Sequence, residues 1–241
     1  MPDKTDIRHI QLGIKTVACV FKLPQKTIDY LWERIDIGIK EQKCHKNNIP
    51  VKTTQYDIDD PQQLIISSLY DILYNPVDNP NMFEFINTEL GSTYKRIHFK
   101  NNNIQPYLTG LWVNFQKKGE FQPIHNHRGL FSFVIWMDIP YESKDESNLP
   151  TAKTSDKNHK GGNFSFVTAG GITRLVTEYT IELSPRMNGY CCIFPSDLCH
   201  QVYPFYTSDK DRISISGNIM YHSPKPNPPP VYQFPFHTSE T

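Results

Sequence analysis

The sequence has no excess of charge of one sign, no long apolar run and few cysteines. Its 241 residues carry 25 Lys and Arg against 25 Asp and Glu, which argues against a broad electrostatic grip on nucleic acid or acidic membranes. No apolar run approaches the roughly 20 residues that span a bilayer. The start, MPDKTDIRHI, lacks the basic and apolar regions of a signal peptide. These absences together predict a soluble intracellular protein.

Cysteine usage points to the same compartment. The cysteines are an odd number without zinc-ribbon spacing, namely Cys19, Cys44, Cys191, Cys192 and Cys199. We therefore expect reduced thiols and a cytoplasmic location. A chain of this length buries roughly 70% of its extended surface without covalent cross-links, and it fits one domain or one domain with an added subdomain.

The first hundred residues carry apolar side chains three and four positions apart, which predicts amphipathic helices. One helix is expected within 22–42 and a second within 59–76. Asp60 is the expected cap of the second helix, with Pro61 at its first position. Segment 83–90 is a candidate third helix. We expect these helices to pack outside a sheet.

From about residue 107 the apolar spacing becomes that of strands. The segments are short and separated by turn residues rather than helices, which predicts an antiparallel sandwich or barrel; they are 107–116, 130–139, 173–183, 189–194 and 212–221. Between them, 141–162 is polar and predicts a surface loop, insertion or lid. The predicted organisation is a helical region over 1–105, a β core over 106–222 and a proline-rich tail over 223–241.

One strand has an unusual polar face. In RISISGNIM, the isoleucines point one way, whereas Arg212, Ser214, Ser216 and Asn218 point the other. A guanidinium followed two residues later by a hydroxyl is suited to hold a carboxylate, because both groups donate hydrogen bonds to it. An ordinary exposed strand face is the alternative.

Three histidines suggest a metal site. His125 and His127 stand two apart, so both imidazoles point to one side of an extended chain. A third ligand can come from His200, which follows a predicted buried strand and turn. Taken alone, the His125 and His127 pair is also compatible with a surface pair, and His200 is also compatible with a structural histidine. Three nitrogens on one face of an octahedron would leave the opposite positions open for other ligands.

The order of these residues resembles the 2-oxoglutarate- and Fe(II)-dependent oxygenases, nearest to short oxygenases of marine phages and bacteria. The resemblance covers about half of the chain, roughly 107–221; it is carried by WVNF, PIHNHRGLFSFVIW, GYCCIFPSDLCHQVYP and DRISISGN. It implies a mainly β fold with flanking helices: a double-stranded β-helix, a cupin-like jelly roll, with the N-terminal helices packed outside.

The resemblance also implies a site. His125 and His200 match the family's metal histidines, Arg212 matches the residue that pairs with the distal carboxylate of 2-oxoglutarate, and Ser214 matches its hydroxyl helper. Asn114 and Trp112 are expected to line the pocket. The implied cofactors are Fe(II), 2-oxoglutarate and dioxygen, and the implied reaction is hydroxylation of a small-molecule or peptidyl substrate that the sequence does not identify.

The chain departs from the family where His127 replaces the usual carboxylate. His127 is a third ligand, or the iron keeps two protein ligands and His127 is turned aside, or a carboxylate reaches in from elsewhere, with Asp197 and Asp138 as candidates. We favour the first interpretation, because an imidazole there has the right reach and donor atom. A neutral ligand would leave the iron more positive.

Three other functions compete with the oxygenase. A cupin-type enzyme without 2-oxoglutarate also begins with a His-x-His pair but requires a Glu a few residues later, whereas Arg128 and Gly129 follow here. A non-catalytic binding protein on the same fold would explain the missing carboxylate. A structural zinc site could use Cys199 beside His200 and the Cys191–Cys192 pair, but neighbours on a strand point to opposite faces.

Overall fold

The protein is built mainly from antiparallel strands. The computed structural model describes residues 8–12, 17–41, 53–74, 105–150, 160–169 and 176–222. The strands are β1 (Arg8–Gln11), β2 (Val17–Lys22), β3 (Thr54–Asp57), β4 (Gln105–Gln116), β5 (Gln122–His125), β6 (Phe131–Asp138), β7 (Phe164–Ala169), β8 (Val176–Ile181), β9 (Tyr190–Pro195), β10 (His200–Val202) and β11 (Arg212–His222). The helices are α1 (Gln25–Lys40), α2 (Leu64–Tyr74) and α3 (Ser143–Ser147). The helix expected at 83–90 and the tail at 223–241 lie outside the described residues.

The strands form a double-stranded β-helix, as predicted. One sheet has the order β1-β2-β9-β6-β11-β4-β3, and the other has the order β5-β10-β7-β8. From β4 to β11 the chain passes back and forth between the two sheets, and every pairing is antiparallel. This arrangement of eight strands in two facing sheets is a jelly roll. It leaves a cavity between the sheets.

The two faces of β11 differ as the residue alternation predicts. Ile215 and Ile219 are fully buried in the apolar cluster on the helical side of the large sheet. The polar residues of the strand face the cavity between the sheets instead; they are Arg212, Ser214, Ser216 and Asn218. The neighbouring strand β6 is buried on both faces from Phe131 to Met137, also as expected.

Helix α1 lies where the sequence predicts a helix, and it covers the large sheet. Ile28, Leu31 and Ile35 are buried against it, whereas Ile39, at the end of the same stripe, is exposed. Pro24 precedes the first turn and is its N-cap residue. The apolar stripe therefore packs on the sheet for most of its length, and its last residue extends beyond it.

Helix α2 begins later than predicted. The carboxylate of Asp60 accepts hydrogen bonds from the backbone N–H groups of Leu64, Ile65 and Ile66, so it caps the helix as expected. The prediction that Pro61 occupies the first helical position is wrong, because Pro61 lies in a turn ahead of the helix. Gln63 has a φ of 54°, which is incompatible with a right-handed helix.

The N-terminal part also contributes strands that the sequence analysis did not anticipate. β1 and β2 extend the large sheet beside β9, and β3 extends it beside β4. They have four to six residues each, which is too short for alternation to be distinctive. The division at residue 105 stays a prediction.

The segment 141–150, in the first part of the predicted polar loop, is held to the core by one buried carboxylate. Glu146, on α3, accepts hydrogen bonds from the backbone N–H of Tyr206 and from both the N–H and the hydroxyl of Thr207. Its side chain is completely buried. The contact anchors the segment that leads into Arg212. Residues 151–159 lie outside the described part.

Within the described ranges, no helix is both long enough and apolar enough to cross a bilayer. The cysteines described there, Cys19, Cys191, Cys192 and Cys199, are all free thiols, in accordance with the expectation from the sequence. A cytoplasmic location stays a prediction.

Candidate metal centre and co-substrate cavity

The fold brings the three predicted histidines together. His125 ends β5 and His200 begins β10, and the two are direct cross-strand partners. His127 follows in the loop, where its backbone N–H donates to the carbonyl of Ser196 at 2.8 Å. The ring centroids lie 4.3 Å apart for His125 and His200, and 5.1 Å apart for each pair that includes His127. One ligand atom from each ring lies within 4.8 Å of the others.

Backbone carbonyls orient two of these rings. Nδ1 of His125 lies 2.6 Å from the carbonyl oxygen of Pro123, and Nδ1 of His200 lies 3.0 Å from that of Leu198. A carbonyl only accepts, so the hydrogen-bond network assigns the proton to Nδ1 in both rings. The lone pair on Nε2 is then free to bind a metal, and the second hydrogen bond fixes the ring.

Burial favours the neutral, metal-binding form of His125 and His200. Burial lowers the pKa of His125, and the bond to the Pro123 carbonyl opposes this effect. Burial also lowers the pKa of His200, well below its ordinary value, and the neighbouring His125 and His127 act in the same direction. Since only neutral imidazole binds a metal, this triad suits Fe, Ni, Cu or Zn.

We expect the metal-free protein to lose stability as the pH falls below about 6.5, the ordinary histidine pKa. Folding lowers the pKa of His200, so in this range the unfolded chain binds more protons and acid favours unfolding. The loss grows until the folded-state pKa is reached, and each pKa unit of depression corresponds to about 1.4 kcal/mol. Urea unfolding in a chelator at several pH values measures it. His200→Gln should flatten the profile; a profile identical to that of the wild type would contradict the prediction.

Arg212 lies in the same cavity and is almost completely buried, at 2% exposure. Its Nη1 donates to the hydroxyl of Tyr141 and to the carbonyl of Gly162, and its Nη2 donates to Oε1 of Gln116 and to the carbonyl of Tyr203. All of these acceptors are neutral. No carboxylate in the described part of the chain forms an ion pair with this guanidinium.

A buried cation without a counter-charge is costly, and a bound anion removes that cost. The guanidinium is not the free fork that the sequence suggested, because both terminal nitrogens already have acceptors. A carboxylate that binds here must share these N–H groups or displace a side-chain acceptor such as the Gln116 amide. The surroundings of Arg212 therefore fit a small anionic ligand.

Ser214 and Asn114 line the cavity beside Arg212. Nδ2 of Asn114 lies 3.3 Å from Oγ of Ser214 and 3.1 Å from Oγ of Ser216, and Gln55 donates to its Oδ1. Because each serine oxygen accepts from this amide, its own proton is available for another acceptor. Asn114 thus contacts both hydroxyl groups on this wall of the cavity, and its amide also lies 3.3 Å from the carbonyl of Ser214.

The cavity has a volume of about 260 Å³. This is below the roughly 300–1,000 Å³ of sites for drug-sized ligands, so it suits a small molecule. Among the described residues its lining contains no Asp, Glu or Lys; the three histidines and Arg212 are its ionisable groups. Asp138 and Asp197, the candidate carboxylate ligands, neither line it nor join the histidine group.

The alternative zinc site is not formed in the described residues. Cys191 and Cys192 are fully buried in separate apolar clusters on opposite faces of β9. The one group of potential ligands that could share an ion there is the histidine triad, which includes neither Cys199 nor another thiol.

The comparison with known families agrees with this geometry. Residues 110–218, which span β4 to β11, match a family described as "Putative 2OG-Fe(II) oxygenase". The β core thus matches the sequence pattern of the 2-oxoglutarate- and Fe(II)-dependent oxygenases. The protein is therefore an oxidoreductase of that class, and its cofactors are Fe(II), 2-oxoglutarate and dioxygen. The resemblance to phage and bacterial members in particular stays a prediction.

Solved structures of oxygenases show a distant likeness over most of the chain. A Pseudomonas putida prolyl-4-hydroxylase is 15% identical, with 83% of this chain and 90% of that one covered at a TM-score of 0.47. HygX from Streptomyces hygroscopicus, solved with nickel and 2-oxoglutarate, is 9% identical, with 86% and 83% covered at 0.43. The carbocyclase SnoK is 9% identical, with 86% and 79% covered at 0.48. No curated protein matches the oxygenase sequence.

The sequence analysis missed several residues in and around the oxygenase cavity. Tyr141 and Gln116 contact Arg212 from other elements, and no local pattern marks them. Ser132 does carry a signal, because it is a polar residue inside an otherwise apolar strand, FSFVIW. Its hydroxyl lies 2.7 Å from Oδ1 of Asn218, on the facing strand.

Proposed function

We propose that this oxygenase is a hydroxylase whose Fe(II) is held by His125, His127 and His200 and whose 2-oxoglutarate is held by Arg212 and Ser214. One observation carries the proposal: three imidazoles and a buried guanidinium without a directly paired carboxylate among the described residues line the same small cavity. When bound, the iron supplies the oxidation, in which dioxygen and 2-oxoglutarate yield a hydroxylated substrate, succinate and carbon dioxide.

The residues of the chain contribute binding and orientation. The Pro123 and Leu198 carbonyls keep Nδ1 protonated, so His125 and His200 present Nε2 toward a common point. Arg212 supplies a fixed positive charge for the distal carboxylate, and Ser214 adds a hydroxyl donor whose oxygen is already bonded to Asn114.

Apolar side chains keep the site dry. Trp136, Phe164 and Phe194 line the cavity and are almost completely buried. The rings of Phe164 and His200 are stacked, with centroids 5.4 Å apart and an interplanar angle of 21°. Excluding water strengthens the charge interactions within the cavity and limits side reactions of a bound oxidant.

The test is metal loading together with succinate release. We expect the full chain to bind about one Fe(II), and we expect 2-oxoglutarate added without air to produce a charge-transfer band. Air should then release succinate only when both Fe(II) and 2-oxoglutarate are present.

Two results would contradict the proposal. A metal-dependent activity that ignores 2-oxoglutarate would favour a cupin-type enzyme. Failure of the folded protein to retain iron would favour a non-catalytic binding protein on the same fold. The proposal includes a cytoplasmic location and a small-molecule or peptidyl substrate.

A further inference from the structure

A chain of three polar side chains ends at the cavity wall. The hydroxyl oxygens of Ser196 and Ser132 lie 2.8 Å apart, and the hydroxyl oxygen of Ser132 lies 2.7 Å from Oδ1 of Asn218. Both serines are buried almost completely, at 0% and 1% exposure, whereas Asn218 is partly exposed and lines the cavity. Two hidden hydroxyl groups therefore lead to one accessible amide.

The contact geometry makes Ser132 the donor both to Oγ of Ser196 and to Oδ1 of Asn218, so one of the two contacts must run the other way. Each hydroxyl has a single proton to donate. If Ser196 donates to Ser132 and Ser132 donates to Oδ1 of Asn218, both buried protons are used. With the amide reversed, Ser132 would donate to Ser196, and the Ser196 proton would have no described acceptor. Because an unpaired buried donor costs about 1–3 kcal/mol, the first direction is favoured.

This direction leaves the NH₂ group of Asn218 as the free end. No hydrogen bond from this group to a described residue is formed, and it belongs to a side chain in contact with the cavity. Ser216, two residues earlier on the same face of β11, accepts from Asn114 and has its own proton available. The wall thus presents hydrogen-bond donors, and an oxygen acceptor is their natural partner.

The donors on Asn218 and Ser216 lie toward the end of β11 that is nearer to the metal-binding histidines. The N–H of Leu130 donates to the carbonyl of Ile219 at 3.0 Å, and the N–H of His127 donates to the carbonyl of Ser196. The loop that carries His127 is therefore fastened next to Asn218, whereas Arg212 lies at the opposite end of β11. A group bound by Asn218 would be near the metal ligands and separate from Arg212.

The charge of the described lining limits what can bind at this end. With Arg212 assigned to the co-substrate, no Asp, Glu or Lys of the described lining remains to pair with a charged substrate group. Burying an unpaired ion costs several kcal/mol, whereas a neutral amide or hydroxyl loses little when it is hydrogen-bonded.

We propose that Asn218 determines specificity by donating through Nδ2 to a carbonyl or hydroxyl oxygen on an uncharged part of the substrate. Ser132 and Ser196 act as positioning residues that fix the direction of the amide. This inference rests on the proposed function, because it takes the substrate to bind in the cavity that holds iron and 2-oxoglutarate. It names the substrate class as neutral and rich in oxygen acceptors.

The test uses three matched ligands: the N-acetyl methylamides of glutamine, glutamate and lysine. They share a backbone and differ in side-chain charge. Saturation-transfer NMR on the full chain measures the binding of each ligand without requiring turnover. Zn(II) and excess 2-oxoglutarate are present so that Arg212 is occupied. We expect the glutamine compound to bind at least about tenfold more tightly than the other two.

Variants of Asn218 make the test specific. Asn218→Asp keeps the acceptor for Ser132 but replaces the donor with a negative charge, so the preference should move to the lysine compound. Asn218→Leu should weaken binding of the glutamine compound roughly threefold to tenfold. Ser132→Ala should weaken binding of the same ligand less, because the Asn218 amide remains present and is only freed to turn.

The outcomes separate this inference from the proposed function. If 2-oxoglutarate shows saturation transfer but Asn218→Asp leaves the order of the three ligand affinities unchanged, the role proposed for Asn218 is wrong while the co-substrate site stands. The same holds if the wild type binds all three ligands equally or binds none. If 2-oxoglutarate itself shows no transfer, the proposed function fails and this inference fails with it.

Discussion

Replacing Arg212 with methionine is expected to weaken 2-oxoglutarate binding by at least about a hundredfold, since losing one partner of a buried charge pair costs about 3–5 kcal/mol. The guanidinium is 2% exposed, and its hydrogen-bond acceptors among the described residues are all neutral. A bound carboxylate therefore meets a charge that no described carboxylate pairs with directly. Methionine keeps much of the side-chain volume and removes the charge. Titration of the anaerobic Fe(II) protein with 2-oxoglutarate, followed by the charge-transfer band, measures the change.

The control for this variant has to address folding. Losing the guanidinium leaves the Gly162 carbonyl, which lies 2.6 Å from Nη1, without that donor, and the Tyr203 carbonyl loses its donor as well. Thermal unfolding should accompany each titration for this reason. Arg212→Lys keeps the charge but loses the planar fork, so we expect an intermediate affinity. A folded methionine variant with unchanged 2-oxoglutarate affinity would remove Arg212 from the co-substrate site.

Alternation and residue order were sufficient to predict the central part of the fold. The alternation in RISISGNIM separates the buried isoleucines from Arg212 and Ser214, and the structure has the same division. Strands without intervening helices predicted an antiparallel sandwich or barrel, whereas the double-stranded β-helix in particular was implied by the resemblance to the oxygenase family. The successful predictions therefore came from long elements in which the apolar residues recur with a clear period.

The rest depends on contacts between distant segments. β10 has three residues and β5 has four, and one of those is Pro123, so neither has enough residues to show a period. Their pairing nevertheless places His125 opposite His200. The Gly162 carbonyl reaches Arg212 across 50 residues of sequence, and no local pattern encodes that distance.

The position of His127 bears directly on the three interpretations of the ligand set. Its ring lies 5.1 Å from each of the other two, and its backbone is fixed by the bond to Ser196. Its ring also lies 5.8 Å from that of Trp112, which lines the cavity. A ring in this position favours a third ligand over a side chain that is turned aside. Asp197, by contrast, is exposed.

Replacing any one of the three histidines with alanine is expected to weaken Fe(II) binding by roughly a hundredfold, because structural sites bind with about 10–16 kcal/mol shared among their ligands. His127→Asp should bind Fe(II) at least as tightly as the wild type, since a carboxylate adds a negative charge beside the cation. Competition with a fluorescent chelator under anaerobic conditions measures each affinity.

Asn126→Ala is the matched control, because Asn126 is exposed and lies between the two histidines of the loop. We expect its metal affinity to stay within about twofold of the wild type, since it removes no nitrogen ligand. If His127→Ala also stays within about twofold while His125→Ala and His200→Ala lose metal, the iron has two protein ligands and His127 is a neighbour. If His127→Asp loses metal while His127→Ala keeps it, the loop cannot bring a shorter side chain to the ion, and the ligand set proposed here is wrong.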